Sequence, residues 1–139
     1  MCIRDRFTAL MTIANGESKI TETIFENRMN HIYLLNEMGA RIKLNKNVAH
    51  IKGVKTMNGM NLVGSDLRSS AALIIAGIIA KGSSKIYGLE HLDRGYENFE
   101  LKLKNLGVKI IREISKNTFE ENGFKIETKS KNFSNLEAA

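Results

Sequence analysis

The sequence predicts an α/β (α+β) fold in which repeated βα units place helices inside and sheets outside, an inside-out α/β barrel that is incomplete in this chain. Three observations predict this class. A helix–strand pattern occurs twice along the 139 residues, one predicted helix is apolar or small nearly all round, and several short segments alternate apolar and polar residues as strands do. The length is that of one ordinary domain and is enough to bury a core.

The repeat sets the order of the elements. Residues 7–20 (FTALMTIANGESKI) and 73–86 (LIIAGIIAKGSSKI) both contain an apolar helical run closed by glycine and a Ser-Lys-Ile sequence that starts a strand. The offset of 66 residues continues into the next loop, where Arg28 falls on Arg94. After a shift of two residues, NEMGARI falls on KNLGVKI. Each unit is therefore predicted as helix, strand, loop with arginine, helix and strand.

The first unit continues from a strand at Lys19–Thr23 into a helix from about Arg28 to Met38. Apolar residues at helical spacing predict this helix, and Gly39 is well suited to end it. The segments RIKLN and VAHIKGV then alternate around a turn at Asn45–Asn47, which predicts an antiparallel pair of strands.

The second unit has a helix that we expect to be buried on every side. MNLVGS predicts a strand, and Asp66 is placed to cap the helix Leu67–Ala80. Because SSAALIIAGIIA has no polar face, sheets are expected to lie outside it. A strand at Ser84–Tyr87, a helix that ends at Gly107 and the strand VKIIRE complete the unit.

The two ends of the chain differ in character from its centre. Residues 1–6 (MCIRDR) are expected to be a non-native leader. The partial domain is predicted to span 7–115, as one unit at 7–59 and another at 60–115. Residues 116–139 are predicted to form a polar extension, in which a short hairpin around Asn122-Gly123 is the one element expected.

Composition excludes several classes of protein. A single cysteine, Cys2, rules out a disulfide framework within the chain, and the longest apolar run, Ala71–Ala80, is too short to cross a membrane. The net charge of +6 favours anions, but the basic residues are scattered along the sequence and there is no Trp, so we expect no nucleic acid partner. The three histidines lack ligand spacing, so we expect no metal site.

Repeated arginines are the main functional signal. Arg28 and Arg94 are each predicted to follow a strand and begin a helix, and Asp66 and Arg68 begin the buried helix at the corresponding place. A cation at a helix N-terminus is electrostatically unfavourable unless an anion joins it. Three arginines there predict a site for carboxylate or phosphate, which guanidinium groups bind in a bidentate manner.

The alternative interpretation is that these arginines are solvated loop charges. Arg94 would then pair with Asp93 or Glu97, and Arg28 would pair in the same way with Glu26 or Glu22.

Three motifs resemble a known family at the same residues. ITETIFENR (20–28), DLRSSAALIIAG (66–77) and HLDRGYENFELKLKNLG (91–107) together resemble the C-terminal part of the UDP-N-acetylglucosamine 1-carboxyvinyltransferases, which are enolpyruvyl transferases. The resemblance covers about Phe7 to Glu113. It implies two domains, each of three repeats with internal helices and external sheets, so this chain is expected to hold an incomplete domain.

The resemblance also implies an activity. The family transfers enolpyruvate from phosphoenolpyruvate to the 3-hydroxyl of UDP-N-acetylglucosamine, through addition and elimination, as the first committed step of peptidoglycan synthesis. It implies a cytoplasmic enzyme without metal or organic cofactor, and without nucleic acid or membrane partners. The partners implied are the two substrates and the missing N-terminal domain.

The roles of individual residues follow from the same resemblance. The arginines face the cleft and neutralise the anionic groups of phosphoenolpyruvate, an aspartate handles or positions a proton near the reacting methylene, and a loop contacts the UDP-sugar. The catalytic residues implied are Asp66 and Arg94, and the substrate-binding residues are Arg28, Arg68, Arg94, Ile24 and Phe25.

Other parts of the family's site are absent from this chain. Its N-terminal domain carries a lysine and a reactive loop cysteine, and Cys2 does not correspond to that cysteine. A further family aspartate would fall near Cys2, out of register with Asp5. We therefore expect an inactive fragment. Two alternatives stay open: a shikimate-pathway enolpyruvyl transferase, and a non-enzymatic module that binds anions or nucleic acid.

Overall fold

A computed structural model of the protein describes residues 3–24, 30–113 and 123–128. Within these ranges it has five helices and two sheets. The helices are α1 (Ile3–Met11), α2 (His31–Glu37), α3 (Leu67–Ile79), α4 (Leu89–Gly95) and α5 (Phe99–Asn105). The strands are β1 (Glu17–Thr21), β2 (Arg41–Asn45), β3 (Val48–Lys52), β4 (Asn61–Val63), β5 (Gly82–Tyr87), β6 (Ile110–Glu113) and β7 (Gly123–Thr128).

The two sheets repeat one strand order. The first sheet has the order β1-β3-β2 with antiparallel neighbours. The second has the order β4-β5-β7-β6, in which β5, β7 and β6 are again antiparallel and β4 runs parallel to β5 at the edge. Thus β5-β7-β6 corresponds to β1-β3-β2, and β4 has no counterpart in the part of the first unit that is described.

Helix α3 lies at the centre of the fold, as predicted. It contacts α1, α2 and α4 and also the strands β5 and β7. Its residues from Ser69 to Ile74 are buried, as are Ala76 and Gly77. Helices therefore lie inside and sheets outside, which confirms the predicted fold class, although the described residues form no closed barrel.

The ends of the chain differ from the expectation. Ile3–Arg6 belong to α1, and Asp5 is only 2% exposed, so the prediction that folded sequence begins at Phe7 is wrong. The non-native origin of residues 1–6 stays a prediction.

The predicted extension at 116–139 contains a structural strand. β7 lies between β5 and β6, and its Phe124 and Ile126 are buried, so the boundary predicted at residue 115 is too early. The hairpin turn expected around Asn122-Gly123 is not at Gly123, because Gly123 is the first residue of β7 and pairs with Glu113 of β6 and Tyr87 of β5. The connection between β6 and β7 lies outside the described residues.

Basic residues are less scattered in space than in sequence. On the outer face of the first sheet, Lys19, His50 and Lys43 lie in one cross-strand row. Lys52 and Arg41 lie with Glu17 in the adjacent row, and all six side chains belong to exposed residues. The scatter of basic residues along the sequence therefore does not hold in space for this sheet, which gathers four lysine and arginine side chains on one face.

Candidate active site at the junction of α3 and α4

Two parallel strands bring the starts of α3 and α4 together. The Gly64 backbone N–H, just after β4, donates to the carbonyl oxygen of Tyr87 at the end of β5, over 3.0 Å. Gly88 follows with φ +81°, and a Cβ atom there would lie 2.4 Å from the Gly64 carbonyl oxygen. Glycine is therefore required at Gly88 by both conformation and space. The segments that enter α3 and α4 leave the sheet side by side, at the edge where α/β proteins commonly place ligands.

Arg94 lies in the last turn of α4, so the prediction that it begins a helix is wrong. A cation at a helix C-terminus is electrostatically favourable, and the predicted mismatch does not apply to it. α4 nevertheless ends against the start of α3, because a Cβ atom at Gly95 would lie 2.5 Å from Cδ2 of Leu67. Since Leu67 stands between Asp66 and Arg68, the fold brings Arg94 into the neighbourhood of both.

Asp66 caps α3, as predicted. Its Oδ1 accepts hydrogen bonds from the backbone N–H groups of Arg68, at 2.8 Å, and Ser69, at 3.0 Å. The Ser69 hydroxyl oxygen accepts in turn from the Asp66 N–H at 3.1 Å, which completes a capping box. The Oδ2 atom has no hydrogen bond with any residue in the described ranges.

The Asp66 carboxylate is ionised at neutral pH. Burial raises the pKa of Asp66, but the amides of Ser69 and Arg68, followed by the positive charges of Arg68 and His31, outweigh burial and lower its pKa below the usual value. Because its pKa is lowered, the Asp66 side chain carries no proton at neutral pH. It can accept a proton or position a neighbouring group, but it does not start as an acid.

His31 was assigned no site role from the sequence, yet it lies at this end of the molecule. It is the first residue of α2, is 2% exposed, and its Nε2 lies 3.8 Å from Oδ1 of Asp5. That nitrogen has no hydrogen bond among the described residues. Burial lowers the pKa of His31, while the charges of Asp5 and Asp66 oppose the change. The feature of the sequence that could have pointed to His31 is its position three residues after Arg28.

Arg68 and Arg94 are the two predicted site arginines that the structure describes. The Arg68 and Arg94 side chains make no hydrogen bond or ion pair within the ranges that the structure describes, although the charge of Arg68 acts on Asp66. Asp93, offered as a partner of Arg94 in the alternative interpretation, is instead held by Arg112 at 2.7 and 2.9 Å. The Asp93–Arg94 ion pair is therefore not formed.

The predicted sugar-contact segment is only partly described. Ile24 is 77% exposed, and its N–H donates to Oε1 of Glu22 at 2.9 Å. Phe25 and Arg28 lie outside the described residues. The structure thus brings Asp66, Arg68 and Arg94 into one region and leaves the other predicted site residues unplaced relative to them.

Two other kinds of feature are absent from the described part of the chain. It holds no group of three or more His, Cys, Asp or Glu side chains that could bind a metal ion. None of its helices has the length and apolar content needed to cross a membrane.

Known proteins share this sequence over most of its length. A family model described as EPSP synthase (3-phosphoshikimate 1-carboxyvinyltransferase) matches residues 1–103. A UDP-N-acetylglucosamine 1-carboxyvinyltransferase of Prochlorococcus marinus (strain AS9601) is 92% identical over 133 residues, which cover 96% of this chain and 29% of the relative. One of Trichormus variabilis is 50% identical over 106 residues, 76% of this chain and 24% of the relative. The chain thus spans less than a third of these relatives.

Solved structures share the fold. The enolpyruvyl transferase NikO from Streptomyces tendae matches with a TM-score of 0.65 and 28% identity, over 73% of this chain and 24% of that one. An EPSP synthase from Acinetobacter baumannii matches with a TM-score of 0.67 and 17% identity, over 88% of this chain and 27% of that one. At the lower identity, the likeness shows the fold alone.

These matches agree with the motifs around Arg28, Asp66 and Arg94 that first suggested an enolpyruvyl transferase, and with the helices inside and sheets outside. The family model covers well over half of the chain. The chain belongs to the enolpyruvyl transferase family represented by EPSP synthase (3-phosphoshikimate 1-carboxyvinyltransferase).

Proposed function

We propose that a full-length protein containing this chain transfers enolpyruvate from phosphoenolpyruvate to the 3-hydroxyl of UDP-N-acetylglucosamine, the first committed step of peptidoglycan synthesis. The observation that supports the proposal is the contact of Gly95, next to Arg94, with Leu67, which stands between Asp66 and Arg68, in a chain 92% identical to a relative named for this reaction. Because the chain spans 29% of that relative, turnover is assigned to the full-length protein and not to this chain alone.

The proposed chemistry uses positive charge and one carboxylate. The sugar 3-hydroxyl adds to C2 of phosphoenolpyruvate while a proton is added to C3, and the tetrahedral intermediate then loses phosphate and a C3 proton. Arg68 and Arg94, together with Arg28, neutralise the substrate carboxylate and phosphate, whose charge a water-poor cleft would otherwise destabilise. Asp66 positions or accepts a proton near C3 through its uncommitted Oδ2.

The remaining expected contacts belong to the same proposal. The backbone of Ile24 and the neighbouring Phe25 would contact the UDP-sugar, and the missing N-terminal domain would close the cleft over both substrates. The enzyme would act in the cytoplasm, where both substrates occur, in cell wall synthesis and so in cell division. We propose no cofactor, metal, nucleic acid or membrane partner.

Two alternative functions have specific support. The family model bears the name of the shikimate-pathway enzyme, but the A. baumannii enzyme of that name is only 17% identical over the matched structure. The basic outer face of the first sheet, with Lys19, Lys43 and Lys52, supports a module that binds polyanions. Such a module would bind generic DNA with an affinity that falls steeply as salt is added. We expect that binding to be weak.

The test requires the full-length enzyme. Residues 7–139 of this chain would replace the corresponding segment of the P. marinus AS9601 relative, so that the relative keeps its own residues near the position of Cys2. Phosphate release from phosphoenolpyruvate would be measured with UDP-N-acetylglucosamine, with shikimate 3-phosphate and with neither. We expect release only with the UDP-sugar. Arg94→Ala should lower kcat/KM by about a hundredfold or more, because the charge it places on the substrate is lost.

The matched control is Arg41→Ala, since Arg41 is an exposed arginine on the outer face of the first sheet. It should leave kcat/KM within about twofold of the parent. Release that depends on shikimate 3-phosphate would support the sister activity. No release from a folded chimaera would contradict both transferase assignments.

A further inference from the structure

One guanidinium connects four elements of the second unit. Arg112, on β6, donates to both carboxylate oxygens of Asp93 on α4, at 2.9 and 2.7 Å. It also donates from Nε and Nη2 to the two oxygens of Glu100 on α5, at 3.1 Å each. Its guanidinium carbon lies 4.8 Å from the ring centre of Phe124 on β7, the residue paired with it across the sheet. We call Arg112, Asp93 and Glu100 the Arg112 clamp.

The clamp holds together charges that would otherwise repel. Hydrogen bonds from Arg112 are the largest influence on both carboxyl groups and lower the pKa of Asp93 and of Glu100. The two carboxylates lie close together, because Nη2 of Arg112 donates to an oxygen of each, and the negative charge of Asp93 raises the pKa of Glu100. Without Arg112, α4 and α5 would present like charges to each other, and the last turn of α4 would lose its ion pair with β6.

The position of Asp93 gives the clamp a functional consequence. Asp93 immediately precedes Arg94 in the last turn of α4, and Gly95 follows in contact with Leu67 at the start of α3. The turn that carries Arg94 is therefore held on one side by Arg112 and on the other by α3. The pairing with Arg112 also keeps Asp93 from pairing with Arg94, whose guanidinium makes no ion pair in the described chain.

We propose that Arg112 is a positioning residue for Arg94: it fixes the end of α4 and engages Asp93, so that the Arg94 guanidinium stays available to the anionic substrate. This inference rests on the proposed function, because it assumes that Arg94 binds phosphoenolpyruvate. Arg112 itself lies on the inner side of β6 beneath α4 and α5, held by side chains of the protein, and is not assigned a contact with substrate.

A double-mutant cycle tests the proposal in the full-length chimaera described above. Arg112→Gln should lower kcat/KM for phosphoenolpyruvate about tenfold when Arg94 is present, because an Arg94 guanidinium that is displaced from the substrate stabilises the reaction much less. In the Arg94→Ala background, the same change should lower kcat/KM less than about twofold, since coupled residues are not additive. Asp93→Asn should also lower kcat/KM only when Arg94 is present, by a smaller factor than Arg112→Gln. If Arg112→Gln does not fold, Asp93→Asn takes its place in the double-mutant cycle with Arg94→Ala.

Hydrogen exchange gives a measurement that does not depend on activity. The Tyr96 N–H donates to the Leu92 carbonyl oxygen at 2.9 Å and closes α4, so residues 92–96 should exchange faster in Arg112→Gln. The matched control is Lys85→Gln, which removes the 3.0 Å ion pair between Lys85 and Glu113 in the same sheet and should change neither measurement.

The possible outcomes separate the two proposals. Equal losses of kcat/KM in both backgrounds, or unchanged exchange at residues 92–96, would overturn the positioning role of Arg112. An Arg94→Ala variant with full UDP-sugar-dependent activity would overturn the role given to Arg94, and the positioning proposal with it. Lost activity in Arg94→Ala with no coupling to Arg112 would leave the transferase assignment intact.

Discussion

The two units share a strand order but differ in the residue that their last strand presents to the segment carrying the arginine. In the second unit β5 leads directly into α4, which carries Arg94 and is held to β6 by the Arg112 clamp. Arg28 is equivalent to Arg94 in sequence offset, but the residue of β2 equivalent to Arg112 is uncharged. The comparison teaches that the repeat determines the sheets, while the support of the arginine segment differs between the units.

The clamp itself is confined to the second unit. Counting back by the 68-residue offset from Arg112 gives Leu44 on β2, a 47% exposed apolar residue with no charged group to offer. Arg112 pairs across the sheet with Phe124, and Leu44 pairs with Ala49. Equivalent positions on equivalent strands therefore carry different chemistry, as expected if only one of them supports a site residue.

The central helices give the largest expected contrast. Phe7 on α1 and Leu73 on α3 are equivalent in the repeat, but Phe7 is 50% exposed and Leu73 is fully buried. Leu73→Ala should lower the free energy of unfolding by about 3–4 kcal/mol because it leaves a cavity, and Phe7→Ala by about 1 kcal/mol. Urea denaturation of the chain with each substitution measures both values. Equal losses would mean that α1 is as buried as α3 and would break the comparison.

Glycines provide a second, smaller contrast. Gly88 belongs only to the second unit; it has φ +81°, and a Cβ atom added there would meet the Gly64 carbonyl oxygen at 2.4 Å. Gly88→Ala should lower the free energy of unfolding by about 2–3 kcal/mol, since it adds a clash to an unfavourable backbone conformation.

The control for Gly88 comes from the repeat. Gly39 and Gly107 are equivalent by the 68-residue offset, have φ of +101° and +89°, and have no atom within 4 Å of an added Cβ. Alanine at either should cost about 1 kcal/mol, the effect of a left-handed conformation alone. Urea midpoints of the three variants would contradict this account if Gly88→Ala were no worse than the other two.

The smallest expected effect is a pH dependence that only the second unit should show. Hydrogen bonds from Arg112 lower the pKa of Asp93 and Glu100, so the clamp stabilises the fold above the ordinary carboxyl pKa of about 4. That stabilisation is lost as the pH falls through the lowered values, because the folded state must then take up protons. Arg112→Gln should flatten this part of the pH profile between about pH 4 and 2, measured by urea midpoints. A profile unchanged by the substitution would mean that the clamp does not stabilise the fold.

Local chemistry was sufficient to predict the centre of the fold. The apolar run after Asp66 predicted both the buried helix and its cap, and the structure has both. The repeated Ser-Lys-Ile sequences predicted β1 and β5, and glycines at Gly39 and Gly107 predicted the ends of two helices. Each of these features depends on residues close together in the chain, so a single sequence contains the signal.

The features that were missed depend on distant parts of the chain. α4 has only seven residues, too few for a periodic pattern, so the sequence predicts a loop at its HLDRG segment. β7 lies in a polar stretch and is fixed by its neighbours β5 and β6. The contact of Arg112 with Asp93 joins residues 19 apart on different elements, and a sequence alone does not contain that register.

The cap on α3 has an evolutionary consequence. Asp66 uses Oδ1 to hold the first turn of the central helix, and the function proposed above assigns Oδ2 to the reaction. Alanine would remove both roles, whereas asparagine keeps an oxygen that can accept the two amides and removes the negative charge. Selection for folding alone would therefore allow aspartate or asparagine at this position, and the proposed reaction restricts the choice to aspartate.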